Sequence, residues 1–240
     1  MGHGFRSLLD KRNRTIQLQD EAECLFSDSI GDFQMYENPE IGFTVRASQL
    51  YVQRRRLEED YWTPAATAFL RRFHDPGLKV EALSEVSERI WWMTLFKRVF
   101  GNEGDVSYMS ADQLFTQNAA VTKRVVIEQA ENASDYFVKA GWIIMACSGQ
   151  VYGLNGSFAL MTKKHEHAFF SHDLGRIIPK HELIRPDYLF TVLGHPKLGR
   201  PLVIRNAYGT SIPRLEPTDI AAFPVVLLSS TLTSVRLTGC

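Results

Sequence analysis

Only three cysteines occur in the 240 residues, Cys24, Cys147 and Cys240, far apart and without a CxxC pair. Their spacing argues against a disulfide framework and against a structural zinc site, both of which need paired thiolates; the thiols read as reduced. No stretch approaches the ~18 consecutive apolar residues of a membrane span. The opening Met1-Gly2-His3-Gly4-Phe5-Arg6 lacks the apolar core of a secretory signal. A cytoplasmic location is the expectation. Charge of one sign is not in excess either: 27 Lys+Arg face 27 Asp+Glu, which excludes a strongly basic nucleic-acid coat and leaves room for a local cationic face.

Several catalytic signatures are missing as well. The sequence has no GxxxxGK[ST] loop and no GxGxxG turn, so the usual phosphate cradles of nucleotide hydrolysis and dinucleotide redox chemistry are absent. Ser148 is flanked at the outer positions by Ala146 and Gln150 and fails the GxSxG nucleophile elbow. Asn38-Pro39-Glu40 is not the Asn-Pro-Pro-aromatic motif that holds a flipped adenine, and no Glu-x-Lys or Gln-x-Lys tripeptide is available to complete a metal-dependent nuclease site. An autonomous enzyme, a metal centre and a bound cofactor are therefore not expected. His165, His167 and His172 are the one potential metal cluster, since alternate strand residues share a face; surface or interface histidines are the preferred reading. Cys147 beside Ser148 invites a nucleophile reading against that of a half-buried small hydrophobe, and the latter is preferred.

What is present is 45% hydrophobic and 22% charged, the texture of one large or two small globular domains. Residues 5–28 read as a short helix or a strand pair. Between Ser48 and Phe73 the residues Leu50, Leu57, Trp62, Ala65, Phe69 and Leu70 fall on one side of helical segments. Pro64 suits a first helical turn, where its missing N–H costs nothing. Arg54-Arg55-Arg56 reads as a solvated helical face in preference to a phosphate clamp. His74-Asp75-Pro76-Gly77 is a turn by composition, and a domain boundary is expected soon after it. Short apolar runs then predict strands at 125–127, 142–146, 158–161, 168–170, 176–178 and 202–204. Two helical inserts interrupt them, one capped by Ser110 and one running from Asp187 to Leu193 after Pro186. The fold class is α+β: a partly helical N-terminal segment (1–88), a mixed, strand-rich domain (89–228) and a C-terminal tail (229–240).

The neutral total hides a swing. Residues 1–120 hold 14 basic and 18 acidic side chains, whereas residues 121–214 hold 12 and 7. The cationic segment contains Lys123, Arg124, Lys163, Lys164, Lys197, Arg200, Arg205 and Arg214. Gly149 and Gly153 bracket a turn that projects Gln150 and Tyr152.

Read in order, four stretches resemble the target-recognition domain of the specificity (S) subunit of type I restriction–modification systems. Arg56-Leu57-Glu58-Glu59-Asp60-Tyr61-Trp62-Thr63-Pro64 is similar to "R-L-D-A-x-Y-Y-x-P". Phe96-Lys97-Arg98-Val99, with Val106 to Leu114 after it, is similar to "R-F-K-R … x-F-L-S-x-x-D-L". Val138 to Gly153 follows "V-K-x-G-D/W-I-L-x-x-x-S-G-x-x-G", and Ser171 to Ile177 follows "S-x-x-L-x-R-I". Pro186 to Phe190 and Tyr208 to Ile220 look like "P-x-Y-L-Y … G-S-x-I-P-x-L-x-x-x-D-I".

The resemblance implies a non-catalytic protein that selects a DNA sequence for a partner adenine methyltransferase and, in complete systems, a translocating endonuclease. Base edges must then be read in the grooves while phosphate contacts hold the reader in register. The expected DNA-binding residues are Lys123, Arg124, Ser148, Gln150, Tyr152, Lys163, Lys164, Arg200, Arg205, Tyr208, Thr210, Ser211 and Arg214. Gln150 is the first candidate for base reading, because Gln pairs bidentately with adenine. Gly209-Thr210-Ser211 reads as a small phosphate pocket or as the turn before the last helix, and Arg176 as either a motif residue or the internal partner of Asp173 or Asp187. A full S subunit carries two recognition domains and long spacer helices, and no heptad pattern follows residue 228 here. A half-subunit that dimerises, a fragment and a variant from a related defence system all remain open. So does a protein-interaction or regulatory subunit that has lost DNA reading.

Overall fold

The computed structural model describes residues 2–30, 42–52, 56–74, 76–101, 106–116, 123–127, 132–196, 199–209 and 211–227. The first element is one long helix, α1 (Gly2–Ile30), in place of the short helix or strand pair expected from composition. Its polar residues are i,i+3 and i,i+4 neighbours that bond along the helix surface, Arg14 Nη1 to Gln17 at 3.0 Å and Gln17 Nε2 to Glu21 at 2.9 Å. Helix α2 (Ala47–Val52), a 3-10 turn at Glu59–Trp62 and helix α3 (Pro64–Arg72) follow, with Pro64 in the first turn as its fixed φ favours. Phe69 and Phe73 meet edge to face at 4.7 Å, and both enter the main core.

Among the described residues nine short strands form three sheets. β1 (Val80–Ala82) pairs antiparallel with β9 (Pro224–Val226), joining positions far apart in sequence. The central sheet has the order β2 (Ser87–Trp91), β8 (Leu174–Pro179), β5 (Ile143–Ala146), β6 (Phe158–Leu160), all antiparallel. A third sheet sets β3 (Val106–Met109) between β4 (Lys123–Val125), antiparallel, and β7 (Ala168–Phe170), parallel. Every residue of β5 is buried, as the unbroken apolar run 143–146 requires of a strand covered on both faces. Helix α4 (Ala111–Leu114) starts at Ser110 with a reciprocal capping box to Gln113. Helix α5 (Pro186–Gly194) packs Leu189, Val192 and Leu193 into the core. Together with α7 (Pro217–Ala221) these elements make an α+β fold.

The strand expected at 202–204 is instead helix α6 (Arg200–Ile204). Pro201 in its first turn has no N–H to offer a strand ladder. The Gly199 and Arg200 N–H groups both donate to the His195 carbonyl, turning the chain into the helix, and Leu202 and Val203 face inward.

Arg176 is also settled differently. It is fully buried on β8, but it forms no ion pair with an acid among the described residues: Nη1 donates to the Leu174 carbonyl at 2.6 Å and Nη2 to that of Phe170 at 3.4 Å, with Tyr136 5.8 Å away beneath the guanidinium. Burial pushes its pKa down to about 10.

Candidate nucleic-acid interface

The loop 148–156 connects β5 to β6, and its shape is set by backbone demands at both ends. Gly149 has φ +122°, and Gly156 has φ +70° with space so tight that a Cβ would come within 2.5 Å of Ile204. Both are conformations that side chains other than glycine's disfavour. Gly153 needs no such φ, so the glycine constraint falls at Gly149 and Gly156. Between them the chain is tied down. The Gly149 N–H donates to Pro213 O at 3.2 Å, Asn155 Nδ2 donates to Gly149 O and Pro213 O, and Ser148 forms a backbone bridge with Arg214. The loops 148–156 and 208–214 are thus one sewn unit. Gln150, Ser211 and Arg214 are exposed on it, and Tyr152 is 84% exposed.

Beside this unit lies an open groove of about 880 Å³, with a smaller recess of about 270 Å³ sharing Leu95, Ser148 and Asp173. Its cations are Lys97, Arg98 and Lys123, joined in the recess by Arg214; its acids are Asp112 and Asp173. Four positive groups against two negative ones give a surface that attracts a polyanion. Ser110, Ser148 and Ser171 add hydroxyls, and Phe100, half exposed, adds an aromatic face that meets Tyr108 edge to face at 5.2 Å.

The charges are held in place. Arg98 Nη1 donates to the Tyr108 hydroxyl at 3.3 Å, and that bond, with the field of Asp173, raises the guanidinium's pKa. Asp173 lies 3.1 Å from His172 Nε2, and the hydrogen bond to His172 is the chief reason its carboxyl stays below the usual range. Ser110, through its hydroxyl, likewise lowers Asp112.

The structure brings some of the expected residues together and turns others inward. Lys123 lines the groove, and Arg124 follows it on β4, exposed. Ser148 lines groove and recess alike, and Arg214 the recess. Lys163 and Lys164 are exposed on a 3-10 turn (Lys163–His165) and line neither cavity. Tyr208 donates its hydroxyl to Glu216. Thr210 and Lys197 lie outside the described residues, as does Arg54-Arg55 of the arginine triplet.

Two of the expected cations are engaged within the protein. Arg205 is only 9% exposed, its guanidinium 4.2 Å from the Tyr61 ring centroid. Arg200 spends Nη2 on the carbonyls of Val151 at 3.1 Å, Gly153 at 2.7 Å and Asn155 at 3.0 Å; it shapes the loop from within. Lys97 and Arg98, absent from the expected set, line the groove. The sequence signal for them is a basic pair directly after an apolar residue, Phe96-Lys97-Arg98, within the family-like pattern.

Cys147 is 2% exposed, and burial pushes its thiol up to about 12, the state of an inert core cysteine. His165 Nδ1 accepts from the Thr162 N–H at 3.0 Å. Among the described residues no group of three or more His, Cys, Asp or Glu side chains is placed to hold a metal ion. No described helix is long and apolar enough to cross a membrane.

A strand-rich core presenting two stitched loops beside a cationic, hydroxyl-bearing groove has the features of a nucleic-acid reader. The comparisons make that class particular. Residues 78–227 match the type I restriction modification DNA specificity domain, and the chain belongs to that family. Among solved structures it is similar to the S subunit of the type I restriction–modification system from M. genitalium (12% identity over 62% of this chain and 34% of that one, TM-score 0.39). It is also similar to the HsdS subunit from Thermoanaerobacter tengcongensis (16% identity over 63% of this chain and 38% of that one, TM-score 0.39). The matched region thus spans little more than a third of those subunits' length. No curated protein matches the chain.

Proposed function

We propose that this chain reads a DNA sequence on behalf of a partner adenine methyltransferase, and in a complete system a translocating endonuclease, without catalysing a reaction itself. Residues 89–228 act as the recognition unit behind a partly helical segment (1–88), with 229–240 as a tail, and the cytoplasm is the proposed location. The observation that carries the reading is the convergence of Lys97, Arg98 and Lys123 on one groove, with Arg214 in the adjoining recess, beside the exposed Gln150 and Tyr152. Phosphates of a duplex would lie along the cations, fixing register. The stitched loop would then present Gln150 to a base edge, where its amide can both donate to and accept from an adenine. Lys163, Lys164, Arg124, Tyr208, Thr210 and Ser211 remain proposed secondary contacts. The buried thiol of Cys147 supports the non-catalytic role, since a thiol near pKa 12 supplies no nucleophile at neutral pH.

A second reading draws on the inward turn of Arg200 and Arg205: a subunit that docks on its partner, or on a second copy of itself, and has lost DNA contacts. Selection of bound duplexes from a randomised pool, with and without the partner methyltransferase, separates the two. Enrichment of one motif, relaxed by Gln150→Ala, supports the reader. A stable complex whose DNA preference is unchanged by this chain sinks that role and leaves the docking subunit.

A further inference from the structure

Leu95 is 74% exposed, and it lines both the groove and the adjoining recess. Its two chain neighbours are anchored in the protein. The Thr94 carbonyl accepts from the hydroxyl of Tyr136, a fully buried residue, at 2.7 Å. Phe96 is buried, its ring edge to face with those of Tyr136 at 5.1 Å and Phe169 at 5.4 Å. With both flanking residues tied to one aromatic cluster, the backbone at 95 is held and its side chain stays in the groove.

The fold gains little from this side chain: among the described residues Leu95 belongs to none of the three buried clusters. An exposed leucine elsewhere on a surface would need no account. This one stands among Lys97, Arg98 and Lys123, in a groove whose serines bring hydroxyls and whose Phe100 turns its ring onto Tyr108. Leu95 offers that groove open apolar surface. Base edges in the major groove differ in their hydrogen-bonding groups and in one apolar feature, the C5-methyl of thymine. Gln, Ser, Lys and Arg cannot sense a methyl group by hydrogen bonding; a leucine beside them senses it by burying it.

We infer that Leu95 is a specificity-determining residue that reads the C5-methyl group of a pyrimidine in the major groove, thymine or 5-methylcytosine, while the neighbouring Lys97 and Arg98 hold phosphates. The inference rests on the DNA-reading proposal and adds a base class to it: Gln150 meets an adenine edge, and Leu95 a methyl-bearing pyrimidine. Trp92 and Met93, which line the recess with Leu95, back it with further apolar surface.

The test uses the motif duplex that selection enriches for the full chain. Each thymine is replaced singly by deoxyuridine and each cytosine by 5-methyldeoxycytidine, and affinity is read by fluorescence anisotropy for the unsubstituted chain, Leu95→Ala and Leu95→Met. In the unsubstituted chain one thymine-to-uracil replacement should weaken binding about fourfold, the equivalent of ~0.8 kcal/mol for one buried methyl-sized group. A gain of that size at one 5-methylcytosine instead identifies the modified base as the source of the methyl. Leu95→Ala should bind the methylated and unmethylated duplexes alike, with its salt dependence unchanged, and Leu95→Met should keep the difference. Methyl effects absent at every position, or equal in Leu95→Ala and the unsubstituted chain, overturn the role of Leu95 and leave DNA reading standing. A Leu95→Ala chain that loses the methyltransferase complex with its methyl discrimination intact assigns the leucine to a protein contact and overturns the inference too. If no motif is enriched, DNA reading itself falls and this inference with it. Should Leu95→Ala fail to fold, Leu95→Gln, of similar size, takes its place.

Discussion

Arg200 Nη2 stands 2.7 Å from the carbonyl oxygen of Gly153, with the carbonyls of Val151 and Asn155 within 3.1 Å of the same nitrogen. One side chain on α6 thereby fixes the backbone of the loop that displays Gln150 and Tyr152. Charge-assisted bonds of this kind contribute roughly 1.5–3 kcal/mol. Arg200→Ala should lower stability in urea denaturation by about that amount, and should reduce duplex selectivity more than total affinity, read by competition between specific and random DNA. Equal losses of both would show that Arg200 touches phosphate after all.

The groove cations should report themselves through salt. Each phosphate contact removed lowers the steepness of log K against log [salt] by about 0.9. Lys123→Gln, Arg98→Gln and Arg214→Gln are each expected to flatten the plot by about that step, measured by fluorescence anisotropy. Arg205→Gln should leave it unchanged.

Cys147 should ignore thiol reagents in the native protein at pH 8, since its thiol is buried and pushed up to about 12. Labelling after unfolding in guanidinium should be rapid. Labelling of Cys147 in the folded chain, located by peptide mass spectrometry, would contradict the packing of β5 against β8.

The His172–Asp173 pair gives a prediction about acid. Its carboxyl is held below the usual value first by the His172 hydrogen bond, so the folded state binds this proton more weakly than the unfolded chain. The resulting stability is present above the ordinary carboxylate range and is lost as pH falls through the lowered folded value. In His172→Ala the Asp173 titration, followed by carboxyl NMR, should move upward; an unmoved titration would remove the pairing.

The sequence made some of this legible and hid the rest for identifiable reasons. Pro64 and Ser110 marked helix starts because their chemistry is local: a ring that fixes φ, and a hydroxyl that caps its own turn. The run 143–146 announced a buried strand. Residues 202–204 misled, because Leu-Val-Ile is strand-like in isolation, while the deciding facts were Pro201 and two N–H groups shared on His195 O, the latter a matter of tertiary geometry. The site divides the same way. Gln150 and Tyr152 follow a turn glycine and were visible as a projecting loop. Arg200 and Arg205 carry the same charge as Arg98, and nothing in a linear string says which guanidinium finds carbonyls, which finds a ring and which finds water.

The pairing of β1 with β9 places residues 80–82 directly beside residues 224–226. The polypeptide therefore arrives at this unit and departs from it at a single seam three residue pairs wide. Whatever flanks the seam meets two adjoining strand ends and not two distant ones.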